Sequence, residues 1–128
     1  MASDAIPPSV KQLLARYIRS VEQLEILLLV QGQPNRAWTA TEVYDVIRSS
    51  RTSIAERLKD FTAAGFLAEE PGPPAGFRYA PKDNALRAAV DETALLYQTR
   101  RVRVIEAIFA PEVDPVQSFA DAFKLRKD

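Results

Sequence analysis

Neither cysteine nor histidine occurs anywhere in these 128 residues. Without cysteine there are no disulfides, no thiolate metal ligands and no thiol nucleophile. Without histidine the commonest general base and the commonest metal ligand are missing together. Glycine is scarce: none of the 4 present falls in a G-x-G-x-x-G or G-x-x-x-x-G-K-[ST] spacing that would cradle a phosphate. A surplus of one charge is also lacking, since 17 Lys and Arg balance 17 Asp and Glu. The carboxylates form no closely spaced metal or acid–base cluster; Glu69-Glu70, beside a Pro/Gly-rich turn, reads as a solvated loop tip. No enzymatic activity, cofactor or metal is therefore expected.

Long apolar runs are missing as well. The most apolar stretch, Leu24 to Val30, is far short of the roughly 20 residues that a membrane span needs. The beginning, MASDAIPPSVK, has neither the basic start nor the apolar core of a targeting signal. The expectation is a soluble, cytoplasmic protein with no membrane partner.

What is present is ordinary globular material, 47% hydrophobic and 27% charged, in a chain long enough to bury a core without staples. Residues 1–8 read as a flexible lead. Ser9 can cap a helix whose apolar positions Val10, Leu13, Leu14, Tyr17 and Ile18 recur at helical spacing. Ser20 followed by Gln23 fits a capping box, so either two helices meet there or one helix bends. Ile26 to Val30 is apolar all round, which indicates a buried helix.

After a short extended piece at Ala37-Trp38-Thr39, a second capping box pairs Thr39 with Glu42. It starts a short helix with Val43, Val46 and Ile47 on its inner side. Arg48 to Arg51 make a tight turn. The next helix runs from about Thr52 to Ala64, burying Ile54, Leu58 and Phe61, and stops at Gly65. FLAEE and FRYAP are strand candidates joined by the turn PGPPAG.

From 83 to 110 a long helical pattern follows. Ala88, Leu95, Val102 and Phe109 repeat every seven residues, with Ile105 between, and Leu86, Val90, Tyr97, Val104 and Ile108 broaden the apolar face. Arg100, Arg101 and Arg103 interrupt the stripe as solvated charge. Pro111 and Pro115 end the helix, and 111–128 form a short tail with Phe119 and Phe123 four residues apart. A chain end does not ordinarily expose two such aromatics, so both are expected to clamp onto the domain, a second subunit or another protein.

Helix, short strand, helix, tight turn, helix and hairpin is the order of a winged helix-turn-helix. The segment from about Val21 to Pro81 resembles that superfamily of bacterial transcriptional regulators. Trp38-Thr39 stands for the first strand, TATEVYDVI for the helix before the turn, and RTSIAERLKDFTAAGFL for the recognition helix running into the wing. SVEQLEILLLV and SFADAF look like segments of a set of small uncharacterised bacterial winged-helix proteins, from which no activity carries over. Many family members have a glycine in the turn, where this chain has Arg48-Ser49-Ser50. The resemblance implies a mainly α fold with a small β-hairpin wing: a winged helix-turn-helix over 9–82 plus the long C-terminal helix.

The same resemblance implies duplex DNA as partner, with the start of the 52–64 helix meeting base edges in the major groove. That nominates Ser50, Arg51, Thr52, Ser53, Glu56 and Arg57, together with Arg78 on the wing. The arginines suit phosphate or guanine, the hydroxyls suit backbone or base, and Glu56 suits a cytosine amino group. Against this stands the charge: Arg36 to Lys82 hold seven basic and six acidic residues. Phosphate neutralisation supplies most non-specific affinity, so a monomer should bind weakly and two copies better. A homodimer is expected through Leu95, Val102, Ile105 and Phe109, alongside packing of the long helix on Val10–Val30.

The alternatives are a protein-interaction module using the winged fold and the aromatic tail, and a ligand sensor with a pocket lined by Tyr17, Trp38 or Tyr97. Arg51, Arg57 and Arg78 clustered on an exposed face would favour DNA. Pairing with Glu56, Asp60 or Glu69 would count against it.

Overall fold

Local signals at the helix ends explain most of the element boundaries. The computed structural model describes residues 6–109; Phe119 and Phe123 lie outside them. Helix α1 (Pro8–Tyr17) starts at a proline, with Pro7 in the cap position, not at Ser9. A proline suits this place because its missing N–H has no partner in a first turn. Ser9 instead donates to Glu92. Helix α2 (Val21–Gly32) is a separate helix, and Ser20 caps it by accepting from Gln23 N at 3.1 Å. The Gln23 side chain accepts from Arg19 N, so the two residues close the corner between α1 and α2.

Strand β1 (Ala37–Thr39) runs into α3 (Ala40–Ile47), where the Thr39–Glu42 capping box forms in both directions, at 3.2 and 2.9 Å. The backbone N–H of Thr39 holds the Glu42 carboxyl below its usual value, helped by the charge of Arg36 and opposed by partial desolvation. Helix α4 (Arg51–Ala64) is capped by Ser50 and ended by Gly65 at φ 94°. A Cβ at Gly65 would also come within 2.5 Å of the Lys82 side chain. Strands β2 (Leu67–Glu70) and β3 (Gly76–Tyr79) complete an antiparallel sheet of order β1-β3-β2, with Trp38 opposite Phe77 and Glu69 opposite Phe77 on the other side.

Val10, Leu13, Leu24, Ile26, Leu27, Val43, Ile54, Leu58, Phe66, Trp38 and Phe77 meet in one core. Phe66 stands edge-on between Tyr17 and Phe61, with ring centroids 4.9 and 5.4 Å away. Val46 does not belong to the core: it is 56% exposed, because α3 turns only Val43 fully inward and ends at Ile47, one residue after Val46.

The C-terminal helical region is two helices, α5 (Asn84–Thr99) and α6 (Arg101–Phe109), broken at Arg100. No glycine or proline lies between Asn84 and Phe109, so packing imposes the break. Val90, Thr93, Val104 and Ile108 turn inward, and α5 and α6 both pack on α1. On either side of the break Tyr97 Oη and Arg101 Nη2 reach the same Glu25 oxygen on α2, at 3.2 and 3.1 Å. Arg101 is thus a clamp and not merely solvated charge.

Candidate nucleic-acid interface

The α3–α4 corner is built by one unusual backbone residue. Arg48 ends α3 in the left-handed conformation, φ 61° and ψ 29°, where its N–H still bonds Tyr44 O at 2.9 Å. Left-handed backbone costs a residue with a Cβ about 1–2 kcal/mol, and here an arginine occupies it.

The corner gathers cations around one ring. Tyr44, half-buried on α3, lies beneath the Arg51 guanidinium at 4.4 Å from the ring centroid and near that of Arg48 at 5.5 Å. Among the described residues no carboxylate pairs with either arginine. Arg48 and Arg51 are exposed, as are Ser50 and Thr52. The start of α4 therefore presents two cations and two hydroxyl groups to solvent, backed by the free N–H groups of a helix N-terminus.

The other nominated residues are differently engaged. Ser50 is occupied as the N-cap, accepting from Ser53 N at 3.2 Å. Ser53 donates to Glu22 at 2.6 Å, and Ser49 donates to the other oxygen of the same carboxylate. Arg57 is flanked by Glu56 at 3.2 Å and Asp60 at 3.8 Å, and its Nε is buried without a hydrogen bond to any of the described residues. On β3, Arg78 pairs with Glu70 across the wing. Arg51, Arg57 and Arg78 thus do not form one free cluster: two are neutralised by adjacent acids, and the third stands with Arg48. Arg48, Tyr44 and Glu22 were not among the nominated residues. Glycine's absence from the turn was the one sequence signal at Arg48.

The outer face of α5 and α6 carries the seven-residue stripe. Leu95, Val102 and Phe109 are 66%, 67% and 67% exposed, whereas Ile105 is half-buried. An open cleft of about 380 Å³ lies between α1 and the start of α5, lined by Arg16, Tyr17, Lys82 and Leu86 among others. Of the three aromatics nominated for a ligand pocket only Tyr17 lines it; Trp38 is buried in the core and Tyr97 bonds Glu25. No helix of the described residues is long and apolar enough to cross a membrane.

No family model matches the sequence, and no curated protein matches it. Solved structures do. The chain is similar to the MarR family transcriptional regulator SPO1453 of Silicibacter pomeroyi, with TM-score 0.53 and 16% identity over 88% of this chain and 81% of that one. It is similar to MepR, a transcription regulator of the Staphylococcus aureus multidrug efflux pump MepA, with TM-score 0.54 and 10% identity over 92% and 83% of the two chains. It is similar too to BpsR of Bordetella bronchiseptica, whose DNA binding is regulated by 6-hydroxynicotinic acid, with TM-score 0.53 and 17% identity over 92% and 81%. Likeness at these identities is likeness of fold, and the fold of this chain is a winged helix-turn-helix of the kind found in transcriptional regulators.

Proposed function

We propose that the protein is a transcriptional regulator that binds duplex DNA as a homodimer, with α4 entering the major groove. The observation that carries this reading is the exposed cationic corner, where Arg48 and Arg51 flank Tyr44 at the start of α4 with no carboxylate partner among the described residues. Guanidinium groups stacked on a ring lose less freedom when they bind phosphate than free side chains do. Arg48 and Arg51 are the anchors; Thr52 and Glu56 are exposed on α4 and available to bases. Arg57 and Arg78, already paired with acids, contribute little.

So few net cations make a single copy a weak binder, because each neutralised phosphate adds its share of counterion release. A second copy doubles the anchors. The exposed stripe of Leu95, Val102 and Phe109 supports an isologous pairing, in which the same patch on each subunit meets its equivalent across a twofold axis. Ile105 joins it from the flank.

The test is fluorescence anisotropy with the protein's own upstream DNA and a scrambled duplex across a salt series. Preference for the upstream duplex, with about tenfold or greater loss on Arg51→Ala or Arg48→Ala, supports the reading. Equal and feeble binding to both, unchanged by either substitution, refutes it. The pairing of Arg57 and Arg78 favours the second reading in that event: a protein-interaction module that holds a partner through the winged fold and the tail carrying Phe119 and Phe123.

A further inference from the structure

An acid from a different helix dictates the hydrogen-bonding character of the α3–α4 corner. Glu22 lies in the first turn of α2, and its two carboxylate oxygens accept from Ser49 Oγ and Ser53 Oγ, the latter at 2.6 Å. A carboxylate has no proton to give, so both serine hydroxyls spend theirs on Glu22. What each retains for any other molecule is lone pairs alone. Ser50 differs: its oxygen accepts from Ser53 N and its own proton stays available.

Two consequences follow at the entrance to α4. First, a helix N-terminus ordinarily favours an anion, but here the Glu22 carboxylate already supplies the negative charge. A phosphate approaching Ser49 or Ser53 meets that charge, and meets oxygens with no proton to offer. Second, a group that does bind these serines must be a donor. In the major groove the donors on base edges are the N6 amino group of adenine and the N4 amino group of cytosine. Ser49 is exposed and Ser53 half-exposed, so both can be approached from solvent.

We propose that Glu22 is a positioning residue for base selection. By taking the protons of Ser49 and Ser53 it makes them obligate acceptors, turning these two serines from phosphate contacts into readers of exocyclic amino groups. The division of labour is then spatial: Arg48 and Arg51 anchor the backbone, and the Glu22-bound serines choose the base. The proposal rests on the DNA-binding reading above.

The experiment begins by selecting sites from a random duplex pool with the wild-type protein. The selected duplex is then titrated by anisotropy after single adenines are replaced by purine, or single cytosines by 2-pyrimidinone, each lacking the amino group. Wild type loses about tenfold in affinity at one or two positions, the scale of one buried hydrogen bond. In Glu22→Ala, and in the double variant Ser49→Ala with Ser53→Ala, the same deletions cost less than about twofold. Glu22→Gln, which keeps the side-chain volume, falls between, because an amide accepts from one serine and donates to the other. If Glu22 served stability alone, its variants would weaken every duplex by one common factor and leave the amino-group preference at the wild-type ratio. That outcome overturns the proposal and leaves the DNA-binding reading standing. A wild-type protein that enriches no site overturns the reading and the proposal together.

Discussion

Replacing Arg48 by glycine should make the protein more stable and a poorer DNA binder. Arg48 sits at φ 61°, where a Cβ costs about 1–2 kcal/mol, and glycine removes that cost. Two terms oppose the gain. Glycine gives the unfolded chain more freedom, about 0.5–1 kcal/mol. The stacking of Arg48 on Tyr44, 5.5 Å from the ring centroid and at an exposed site, is worth about 0.5 kcal/mol at most. The balance is a net stabilisation of about 0.5 kcal/mol, a small but measurable rise in the urea midpoint at unchanged slope. Asparagine, which tolerates this conformation, should fall close to arginine, and Arg48→Val should lose at least about 1 kcal/mol, since a β-branched residue is least at ease there. In the same proteins the salt dependence of DNA binding should become shallower by about one phosphate contact for every variant lacking the charge. A glycine variant less stable than wild type, or a valine variant equal to it, would refute the claim that this corner is held in strain.

Three further substitutions can be measured directly. Val102→Glu should shift the protein to monomer in sedimentation while leaving its fold intact by circular dichroism, because Val102 is 67% exposed; a dimer that survives excludes the stripe. Tyr79 is buried with its hydroxyl lacking a hydrogen-bond partner among the described residues, so Tyr79→Phe should be neutral or stabilising by up to about 1 kcal/mol in denaturant titrations. Burial and the nearby Asp91 push the Tyr79 phenol up to about 12, against the opposing charge of Arg87. The folded state therefore resists an ionisation that the unfolded chain undergoes near pH 10, and the stability Tyr79 contributes below that pH is lost as pH rises from about 10 to 12. Tyr79→Phe should flatten that alkaline fall, and an unchanged profile contradicts the assignment. Finally, Gly65→Ala should cost about 1–2 kcal/mol in urea denaturation, because φ 94° is left-handed backbone and the added Cβ approaches Lys82; a neutral result contradicts the left-handed conformation at this position.

Much of this fold was legible because its punctuation is local. The Thr39–Glu42 box, the Gly65 stop and the PGPPAG turn between the two strands act within a few positions of themselves, and each forms where the pattern put it. The features that escaped are non-local. Thirty-one positions separate Glu22 from Ser53, and no spacing rule links them. The break at Arg100 has no glycine or proline to announce it; it exists because Tyr97 and Arg101 share Glu25 on α2. Val46 looked inward by periodicity, yet a helix as short as α3 buries only a narrow edge. At the candidate site the residue types are visible in the sequence, but their engagement is not. Whether an arginine is free depends on which acid the fold brings beside it, and Glu70 reaches Arg78 only through the pairing of two strands.

Trp38 gives the protein its own optical probe. It is the sole tryptophan, 2% exposed, centred on β1 where it faces Phe77 of the wing strand, and the Arg36 guanidinium lies 3.6 Å from its ring centroid. One fluorophore, shielded from water and capped by a cation, reports on a single joint: the seam between the wing and the body. Emission from Trp38, excited beyond the tyrosine absorption, can thus follow whether the wing shifts when a duplex is bound, with no dye attached and no second tryptophan to confuse the signal. A quencher added to the solution would then distinguish a wing that stays seated from one that lifts.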